Sequence, residues 1–278
     1  MANDIAVLKI WIYHLSLNTS YKLSNNSTHI TLAAGKYAYF ASDMHLGAPN
    51  HHSSILRERK VCSWLEDIET SCGVLFLVGD IFDFWHEYRY AIPKGYTRLL
   101  GKLAHYSDNG IPIHIFTGNH DIWMYDYLQE ELGIIIHRQA HQFIINDKKF
   151  FVAHGDGLGP GDYKFKVLKK MFTYPFFQWC FRWLHPDIGI KIATLWSQHS
   201  RTDPTTERFM GEDNEFLIQY AKRKYSTTPC DYFVFGHRHL PMEYPIAERC
   251  IYYNLGDWIV NFTFLIFDHE KCTLQKYI

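Results

Sequence analysis

Five short polar segments contain the residues of this sequence that could do chemistry. Each contains Asp, Asn or His, and none contains cysteine. Asp, Asn and neutral His offer oxygen and nitrogen donors, which suit divalent first-row metal ions such as Mn, Fe or Zn. In chain order the segments are Asp43-Met44-His45, Gly79-Asp80-Ile81-Phe82-Asp83, Gly118-Asn119-His120-Asp121, His154-Gly155-Asp156 and Gly236-His237-Arg238-His239.

The segments offer enough donors for two metal ions. Two ions about 3.5 to 4 Å apart need a ligand that bridges them, and a carboxylate with two oxygens does this best. Asp80 is the candidate for this bridge, because it closely follows the continuous apolar run at residues 74–78. A centre of this kind cleaves phosphate esters or anhydrides.

An apolar run of the kind expected for a buried strand precedes each segment. Five strand ends would therefore converge on one edge. The alternative is that the polar residues only terminate strands, with glycine supplying the tight turns. That alternative explains the glycines but not the His and Asp beside them. The apolar runs lie at residues 37–41, 74–78, 113–116, 150–153 and 232–235.

The order of the segments resembles the signature of the calcineurin-like metallophosphoesterases, which runs Asp-x-His, Gly-Asp-x-x-Asp, Gly-Asn-His-Asp/Glu, His and Gly-His-x-His. The resemblance implies two divalent ions, for which we expect Mn²⁺, with Fe or Zn as alternatives. It implies that Asp80 is shared between them. The remaining ligands would be Asp43, His45 and His239 for one ion, and Asn119, His154 and His237 for the other.

The same resemblance assigns His120 to the scissile phosphate rather than to a metal, with Asp83 orienting its ring. A carboxylate at one ring nitrogen fixes the tautomer and raises the basicity of the imidazole. The other nitrogen can then donate a proton or a charge-assisted hydrogen bond. We therefore expect His120, Asp83 and Asn119 to be catalytic, and Asp121 to support the ligands from behind.

The residues around the segments are similar to one branch of that family, the UDP-2,3-diacylglucosamine hydrolases of lipid A biosynthesis. The similarity is carried by residues 42–47, 79–85, 154–162 and 254–258 and extends from about residue 36 to the C-terminus. It implies hydrolysis of the pyrophosphate of UDP-2,3-diacylglucosamine to UMP and 2,3-diacylglucosamine 1-phosphate (lipid X). In one departure, the best-known enzymes of the branch have Arg where this chain has His120.

This departure bears on the substrate. The leaving group in pyrophosphate cleavage is a phosphate monoester that departs without being protonated, so general-acid catalysis is optional. An Arg at this position would only neutralise charge, whereas His120 could either neutralise charge or act as a general acid. A metallophosphoesterase acting on another phosphodiester or nucleotide is therefore the alternative. A protein-binding scaffold with a degraded metal site is disfavoured, because all the expected ligand positions are intact.

Residues 161–201 form an aromatic, basic insertion between the fourth and fifth segments. Seven Lys and Arg against two Asp give it a net charge of plus five, while the whole chain carries minus one. Pro175 and Pro186 break it into separate helices. A helical lid of this character suits an amphiphilic nucleotide-sugar lipid and an anionic membrane surface. The alternative is a second small hydrophobic core with solvated lysines. The expected substrate contacts are Asp162, Lys166, Ser200 and Arg201.

The chain of 278 residues is long enough for one catalytic domain. We expect an N-terminal extension at residues 1–35 and a metallophosphoesterase domain at 36–278. Strands alternating with helices predict an α/β fold, and the resemblance implies a four-layer β-sandwich of mixed sheets flanked by helices. Strands are predicted near residues 37, 74, 112, 134, 142, 150, 232, 244, 251 and 262, and helices near 53–70, 95–109, 123–132 and 204–225.

The cysteines and the N-terminus indicate the compartment. The six cysteines lack the spacing of a metal site and are expected to be reduced core residues. The apolar run at residues 8–15 lacks the features of a signal peptide and is too short to span a bilayer. We therefore expect a cytoplasmic enzyme peripheral to the inner membrane. Nucleic acid and an obligate protein partner are not expected.

Overall fold

Twelve strands account for the β-structure of the described part of the chain. The structure is a computed structural model that describes residues 27–159, 163–200 and 208–278. The strands are β1 Thr28–Ile30, β2 Tyr37–Ala41, β3 Cys72–Val78, β4 Ile113–Phe116, β5 Ile135–His137, β6 His141–Ile145, β7 Lys148–Ala153, β8 Tyr232–Phe235, β9 Met242–Ala247, β10 Cys250–Asn254, β11 Thr263–Phe267 and β12 Cys272–Lys276.

The strands form two mixed sheets. The first sheet has the order β1-β6-β7-β8-β10-β9, and the second has the order β12-β11-β2-β3-β4-β5. In the second sheet β2, β3, β4 and β5 run parallel, β11 pairs antiparallel with β2, and β12 pairs antiparallel with β11. In the first sheet β7, β8 and β10 are parallel neighbours. Both sheets therefore have parallel strands at their centres.

The helices lie in the connections between strands. Local sequence signals mark several of their ends: Asn50 caps the first helix by accepting a hydrogen bond from the Ser53 N–H, and Gly133 ends the third with φ of 66°. The helices are α1 His51–Ile68, α2 Thr97–Asp108, α3 Tyr127–Leu132, α4 Tyr163–Thr173, α5 Pro175–Arg182, α6 Pro186–Ser200 and α7 Phe216–Thr227.

Three hydrophobic clusters connect the layers. One lies between the two sheets, where Phe40 and Phe76 stack at 4.4 Å and face Phe150 of the first sheet. A second joins the outer face of the second sheet to α1, α2 and α3. The third joins the outer face of the first sheet to α7 through Leu217 and Ile218. This gives the four-layer α/β arrangement that the sequence predicts.

Most predicted elements coincide with observed ones, with three differences. Strands β1 and β12 are not among the predicted strands. Because β1 pairs with β6 and Leu32 is buried in the core, the sheet includes residues before the predicted boundary at residue 36. The helix predicted at residues 204–225 is observed at Phe216–Thr227; residues 208–215 are not helical, and residues 201–207 lie outside the described ranges.

The cysteines and the hydropathy of the helices can be compared with the sequence predictions. All six cysteines are free. Five are buried or half-buried, as expected of core residues, but Cys180 on α5 is exposed. In the described ranges, no helix is both long enough and apolar enough to cross a membrane.

Candidate metal centre

The five polar segments follow strands whose carboxyl ends meet. The first three segments follow β2, β3 and β4, which are adjacent and parallel in the second sheet. The last two follow β7 and β8, which are adjacent and parallel in the first sheet. Facing parallel strands of two packed sheets therefore bring all five segments to one site.

The predicted ligands form overlapping clusters there. There are three groups of three residues in the described part of the chain. Each residue offers one candidate ligand atom, and the three atoms of a group lie within 4.8 Å of one another. His239 Nε2 lies 3.1 Å from Asp43 Oδ1 and 3.1 Å from His45 Nε2. The three groups are Asp43, His45 and His239; His45, Asp80 and His120; and Asp80, His154 and His237.

Asp80 lies between the clusters, at the position proposed for a bridging ligand. Its Oδ2 is 3.6 Å from His45 Nε2 and 3.3 Å from His154 Nε2. Its Oδ1 accepts a hydrogen bond from the His120 backbone N–H at 2.9 Å. A single carboxylate oxygen thus faces both clusters, while the other is fixed by the backbone of the third segment. Asn119 Oδ1 is 3.3 Å from His154 Nε2 and so joins the second cluster.

The backbone at the ligand positions is strained. Left-handed backbone is uncommon for residues other than glycine and costs of order 1 to 3 kcal/mol. Such conformations persist only where the surrounding structure enforces them, as at binding sites. Five predicted ligands have φ between 43° and 65°: Asp43, His45, Asp80, His237 and His239.

Glycines in the segments provide space for the ligands. A Cβ at Gly118 would overlap the Asp80 carboxylate. A Cβ at Gly236 would overlap the Asp43 carboxylate. These glycines are therefore required by the packing of ligand side chains against the backbone, and not only by turn geometry.

The charges of the site are mutually compensating. Burial alone would raise the pKa of Asp80, but His154 and His120 outweigh it and hold the pKa well below its usual range. Burial would likewise raise the pKa of Asp43, but His239 lowers it. Asp80 in turn raises the pKa of His154 to about 10, against the effect of burial. Two buried carboxylates are thus ionised and require positive charge close by.

Two other histidines of the site, His45 and His237, are held neutral. Burial lowers the pKa of His45 to about 3 and that of His237 to about 4. Both imidazoles are therefore uncharged at neutral pH. Neutral imidazole is the form that binds metal ions.

The donor set fits divalent cations. Asp43 Oδ1 is buried and accepts no aligned hydrogen bond from the described residues, and a buried carboxylate oxygen of this kind is costly unless a cation neutralises it. His154 Nδ1 donates to the Val78 carbonyl oxygen at 2.8 Å, so Nε2 is the nitrogen left for a metal. Ionised carboxylates, neutral imidazoles and an amide oxygen are ligands that first-row divalent metals accept.

His120 lies beside the ligands, and its contact with Asp83 differs in part from the prediction. His120 Nδ1 is 3.1 Å from the Asp83 main-chain carbonyl oxygen, to which it can donate. The Asp83 carboxylate Oδ1 is farther away, at 3.6 Å. The backbone of Asp83 therefore makes the closer contact with the imidazole. His120 also lies within one of the clusters of candidate ligands, a position that the sequence did not indicate.

Arg57 supports the first segment and was not predicted. Its buried guanidinium Nη1 donates to the carbonyl oxygens of Met44, His45 and Ala48 at 2.8 to 3.1 Å. Arg57 lies on α1, outside all five segments, and a lone arginine on a helix gives no sequence signal for this role. Burial lowers the pKa of this guanidinium, although Asp257 opposes the effect.

Two carboxylates brace the other segments. Asp121 accepts hydrogen bonds from the Gly118 N–H at 2.7 Å and the Ile81 N–H at 2.8 Å, so it lies behind the ligands as expected. Burial and the nearby Asp80 raise the pKa of Asp121 to about 7. Asp257 accepts from Asn261 Nδ2 at 2.7 Å, and the same amide donates to the His239 carbonyl oxygen at 2.9 Å.

Of the four predicted substrate contacts, Lys166 is the one whose side chain lies within the described residues. Asp162 and Arg201 lie outside the described residues, and the side chain of Ser200 is likewise not described. Lys166 Nζ donates to the Gly159 carbonyl oxygen at 2.6 Å, so it lies against the loop that follows the fourth segment. The neighbouring Lys169 forms an ion pair with Asp156.

The insertion exposes many large hydrophobic side chains, and the aromatic ones among them lie on or directly beside α5. No residue of α5 is buried. Trp179 and Trp183 are 53% and 75% exposed. This exposure does not fit the alternative of a second small hydrophobic core. The other large exposed side chains of the insertion are Val167, Met171, Tyr174, Phe176, Phe177, Leu184, Ile188, Ile192 and Leu195.

Comparison with known proteins gives a family match that spans the site. The model of the calcineurin-like phosphoesterase family matches residues 38–241, a range that contains all five segments. The UDP-2,3-diacylglucosamine hydrolase of Porphyromonas gingivalis is 34% identical over 256 residues, which cover 86% of this chain and 96% of that protein.

The comparisons also include more distant proteins. The UDP-2,3-diacylglucosamine hydrolase of Histophilus somni is 24% identical over 80% of this chain and 92% of its own length. A solved structure, that of Vps29 with zinc from Entamoeba histolytica, covers 86% of this chain and 89% of its own at 12% identity. Its TM-score of 0.39 marks a likeness too distant to bear on function.

Proposed function

The chain belongs to the calcineurin-like phosphoesterase family, and from this membership we propose that it hydrolyses the pyrophosphate of UDP-2,3-diacylglucosamine to UMP and 2,3-diacylglucosamine 1-phosphate. The observation that carries the proposal is the similarity to the Porphyromonas gingivalis hydrolase over nearly the full length of that protein. The cluster of candidate metal ligands at the strand ends supports it, because phosphoryl transfer depends chiefly on positioning and on charge stabilisation.

Two divalent ions would be held by the clustered ligands, and Mn²⁺ is our first choice. When bound, such ions activate water as a nucleophile and polarise phosphoryl oxygens. Asp80 would be shared between the ions. Asp43, His45 and His239 would complete one coordination set, and Asn119, His154 and His237 the other.

His120 would act on the substrate. Because its Nδ1 can donate to the Asp83 carbonyl oxygen, Nε2 is the nitrogen left to face a phosphoryl oxygen, and it donates there in the imidazolium form, in which both ring nitrogens carry a hydrogen. The side chain is only 13% exposed, so its hydrogen bond would form in partly desolvated surroundings. Asn119 would stabilise the same developing negative charge through its amide group.

The insertion would serve the lipid part of the substrate. Exposed aromatic side chains on α5 and exposed aliphatic side chains on α6, beside Lys and Arg, suit acyl chains and an anionic membrane surface. We therefore extend the proposal to a cytoplasmic enzyme at the inner membrane, in which residues 161–201 form a lid on the catalytic domain. Recognition of nucleic acid or of an obligate protein partner is not part of the proposal.

The proposal is tested by incubating purified protein with Mn²⁺ and UDP-2,3-diacylglucosamine and measuring UMP by chromatography. UMP should appear in the presence of Mn²⁺ and disappear with a chelator. Asp80→Ala should release none and should bind less metal by elemental analysis. Asp147→Ala, which removes an exposed carboxylate in the β6–β7 turn, is the matched control and should match wild type.

The second candidate is a phosphoesterase that acts on another phosphodiester or nucleotide. His120 favours it, because an imidazole can protonate the poor leaving groups that such substrates have. Turnover of simple phosphodiesters without any UMP release from the lipid would reject the lipid assignment and support this candidate.

A further inference from the structure

Ser197 joins the insertion to the catalytic segments. It lies on α6 and is 4% exposed. Its hydroxyl donates to the Asp83 carboxylate Oδ1 at 2.8 Å. This contact crosses from the insertion to the loop that follows β3, between residues 114 positions apart in the chain.

The Asp83 oxygen that Ser197 contacts also faces the site. Asp83 Oδ1 lies 3.5 Å from His45 Nδ1 and 3.6 Å from His120 Nδ1. One buried oxygen is thus shared by a candidate metal ligand, the histidine assigned to the phosphate and a serine of the insertion. The orientation of this carboxylate influences both imidazoles.

The surrounding contacts place α6 firmly beside this loop. A side chain at Gly189 on α6 would collide with the Tyr88 hydroxyl and the Phe181 ring, so the helix approaches the loop closely. Phe181 packs against Trp123 with ring centroids 4.5 Å apart. Trp123 Nε1 in turn donates to the Phe172 carbonyl oxygen at 2.9 Å. The insertion therefore rests on the loops after β3 and β4, which carry Asp83 and His120.

We propose that Ser197 is a positioning residue for hydrolysis: its hydroxyl fixes the Asp83 carboxylate, whose negative charge, 3.5 Å from His45 Nδ1 and 3.6 Å from His120 Nδ1, orients both rings. The inference rests on the proposed phosphoesterase function. A carboxylate that holds a ligand or catalytic histidine must itself be held by hydrogen bonds. In a buried site few waters can replace the serine, so its loss would leave the Asp83 carboxylate less firmly held.

The test is the steady-state kinetics of Ser197→Ala. Loss of a hydrogen bond behind such a histidine typically costs about 10- to 100-fold in activity. We expect kcat to fall by about this factor at saturating Mn²⁺, with KM within about twofold of wild type, because the serine acts on the reacting groups through Asp83. Thr173→Ala is the matched control: it removes an insertion hydroxyl that donates to carbonyls of its own helix, and it should match wild type.

Two further variants separate positioning from folding. Ser197→Thr keeps the hydroxyl and should recover most of kcat, whereas Ser197→Cys, which replaces the hydroxyl by a weak donor, should lose it as alanine does. If the alanine variant fails to fold, the cysteine variant takes its place. In the Asp83→Ala background, Ser197→Ala should change kcat by less than about twofold, since both residues act through one contact.

Three results would overturn the inference: an unchanged kcat in Ser197→Ala, a rise in KM alone, or full additivity with Asp83→Ala. Wild-type turnover measured in the same assay tests the proposed function separately. Absence of UMP from wild type rejects the lipid substrate, and the variants are then compared on whichever phosphodiester the wild type hydrolyses. The ratio of variant to wild type tests Ser197 in either case.

Discussion

At the scale of single residues, Arg57 is the main support of the first ligand segment. Replacing it with leucine removes a hydrogen-bond donor from three buried carbonyl oxygens, of which that of His45 keeps the Ala48 N–H as a donor. We expect Arg57→Leu to lower the free energy of unfolding by about 3 kcal/mol, measured by urea denaturation. Arg59→Leu is the control: it changes an exposed arginine of the same helix and should shift stability by less than about 0.5 kcal/mol. Equal effects of the two variants would contradict the role of Arg57.

His120→Arg should separate two kinds of substrate. The guanidinium keeps a positive charge but cannot give up a proton. We therefore expect pyrophosphate cleavage to persist within about tenfold of wild type, because a phosphate monoester leaves unprotonated. Hydrolysis of phosphodiesters with alkoxide leaving groups should fall about 100-fold or more. Parallel loss of both activities, measured by UMP and alcohol release, would show that His120 does not act as an acid.

The ligand segments could be predicted from sequence because the donors are adjacent in the chain and follow apolar runs. Arg57 and Ser197 could not, since each acts on a segment that is distant in sequence or depends on how an inserted helix packs. The contact of His120 with the Asp83 carbonyl oxygen rather than its carboxylate was equally unpredictable, because side-chain identity says nothing about a main-chain acceptor.

At the scale of elements, the central strands were predictable, but two of the four edge strands of the described sheets, β1 and β12, were not. β3 is buried along nearly its whole length, so its sequence is continuously apolar. β1 and β12 are edge strands with mixed exposure, and their pairing depends on β6 and β11 rather than on their own residues. The helix predicted from residue 204 begins later, because local propensity does not determine where tertiary packing starts a helix.

Two histidines at the edge of the second sheet should make stability depend on pH. His114 on β4 and His137 on β5 lie 2.9 Å apart between their ring nitrogens. Burial lowers the pKa of His114 to about 4 and that of His137 to about 3. The folded protein therefore keeps both neutral, whereas the unfolded chain protonates them below about pH 6.5. Their stabilising contribution is complete above pH 6.5 and is lost as pH falls toward 4.

The measurement is urea denaturation between pH 7.5 and pH 5. Each histidine can contribute a slope of up to about 1.4 kcal/mol per pH unit below pH 6.5. His114→Phe, which keeps an aromatic ring beside Phe76, should give a shallower acid slope than wild type. Comparing the two proteins cancels the contribution of the metal-site histidines. An unchanged slope would contradict the assignment.

At the scale of the whole molecule, the exposed aromatic residues of the insertion should control binding to membranes. Trp179→Ser combined with Trp183→Ser removes two large exposed side chains of the insertion. We expect binding to anionic phosphatidylglycerol vesicles, measured by co-sedimentation, to weaken at least about tenfold. Tyr90→Ser is the control: Tyr90 is an 88% exposed aromatic outside the insertion, and its replacement should have little effect. Equal losses would argue against a specific surface.

The four-layer arrangement could be inferred from the resemblance, and the reason is visible in the cores. Strands buried on both faces require a second sheet on one side and helices on the other. The exposure of the insertion could not be inferred in the same way, because its aromatic pattern is also compatible with a buried core. Only the positions of α4, α5 and α6 separate those alternatives.

The left-handed backbone of the candidate metal ligands has a consequence for engineering. Because five ligands hold uncommon φ values, their side chains reach the centre only from these particular turns. If the same seven side chains were grafted onto loops without these positive φ values, they would point in other directions. A transplant of this centre should succeed only if the strand ends and their glycines are moved as a unit, so the smallest transferable catalytic module is the joined rim of both sheets.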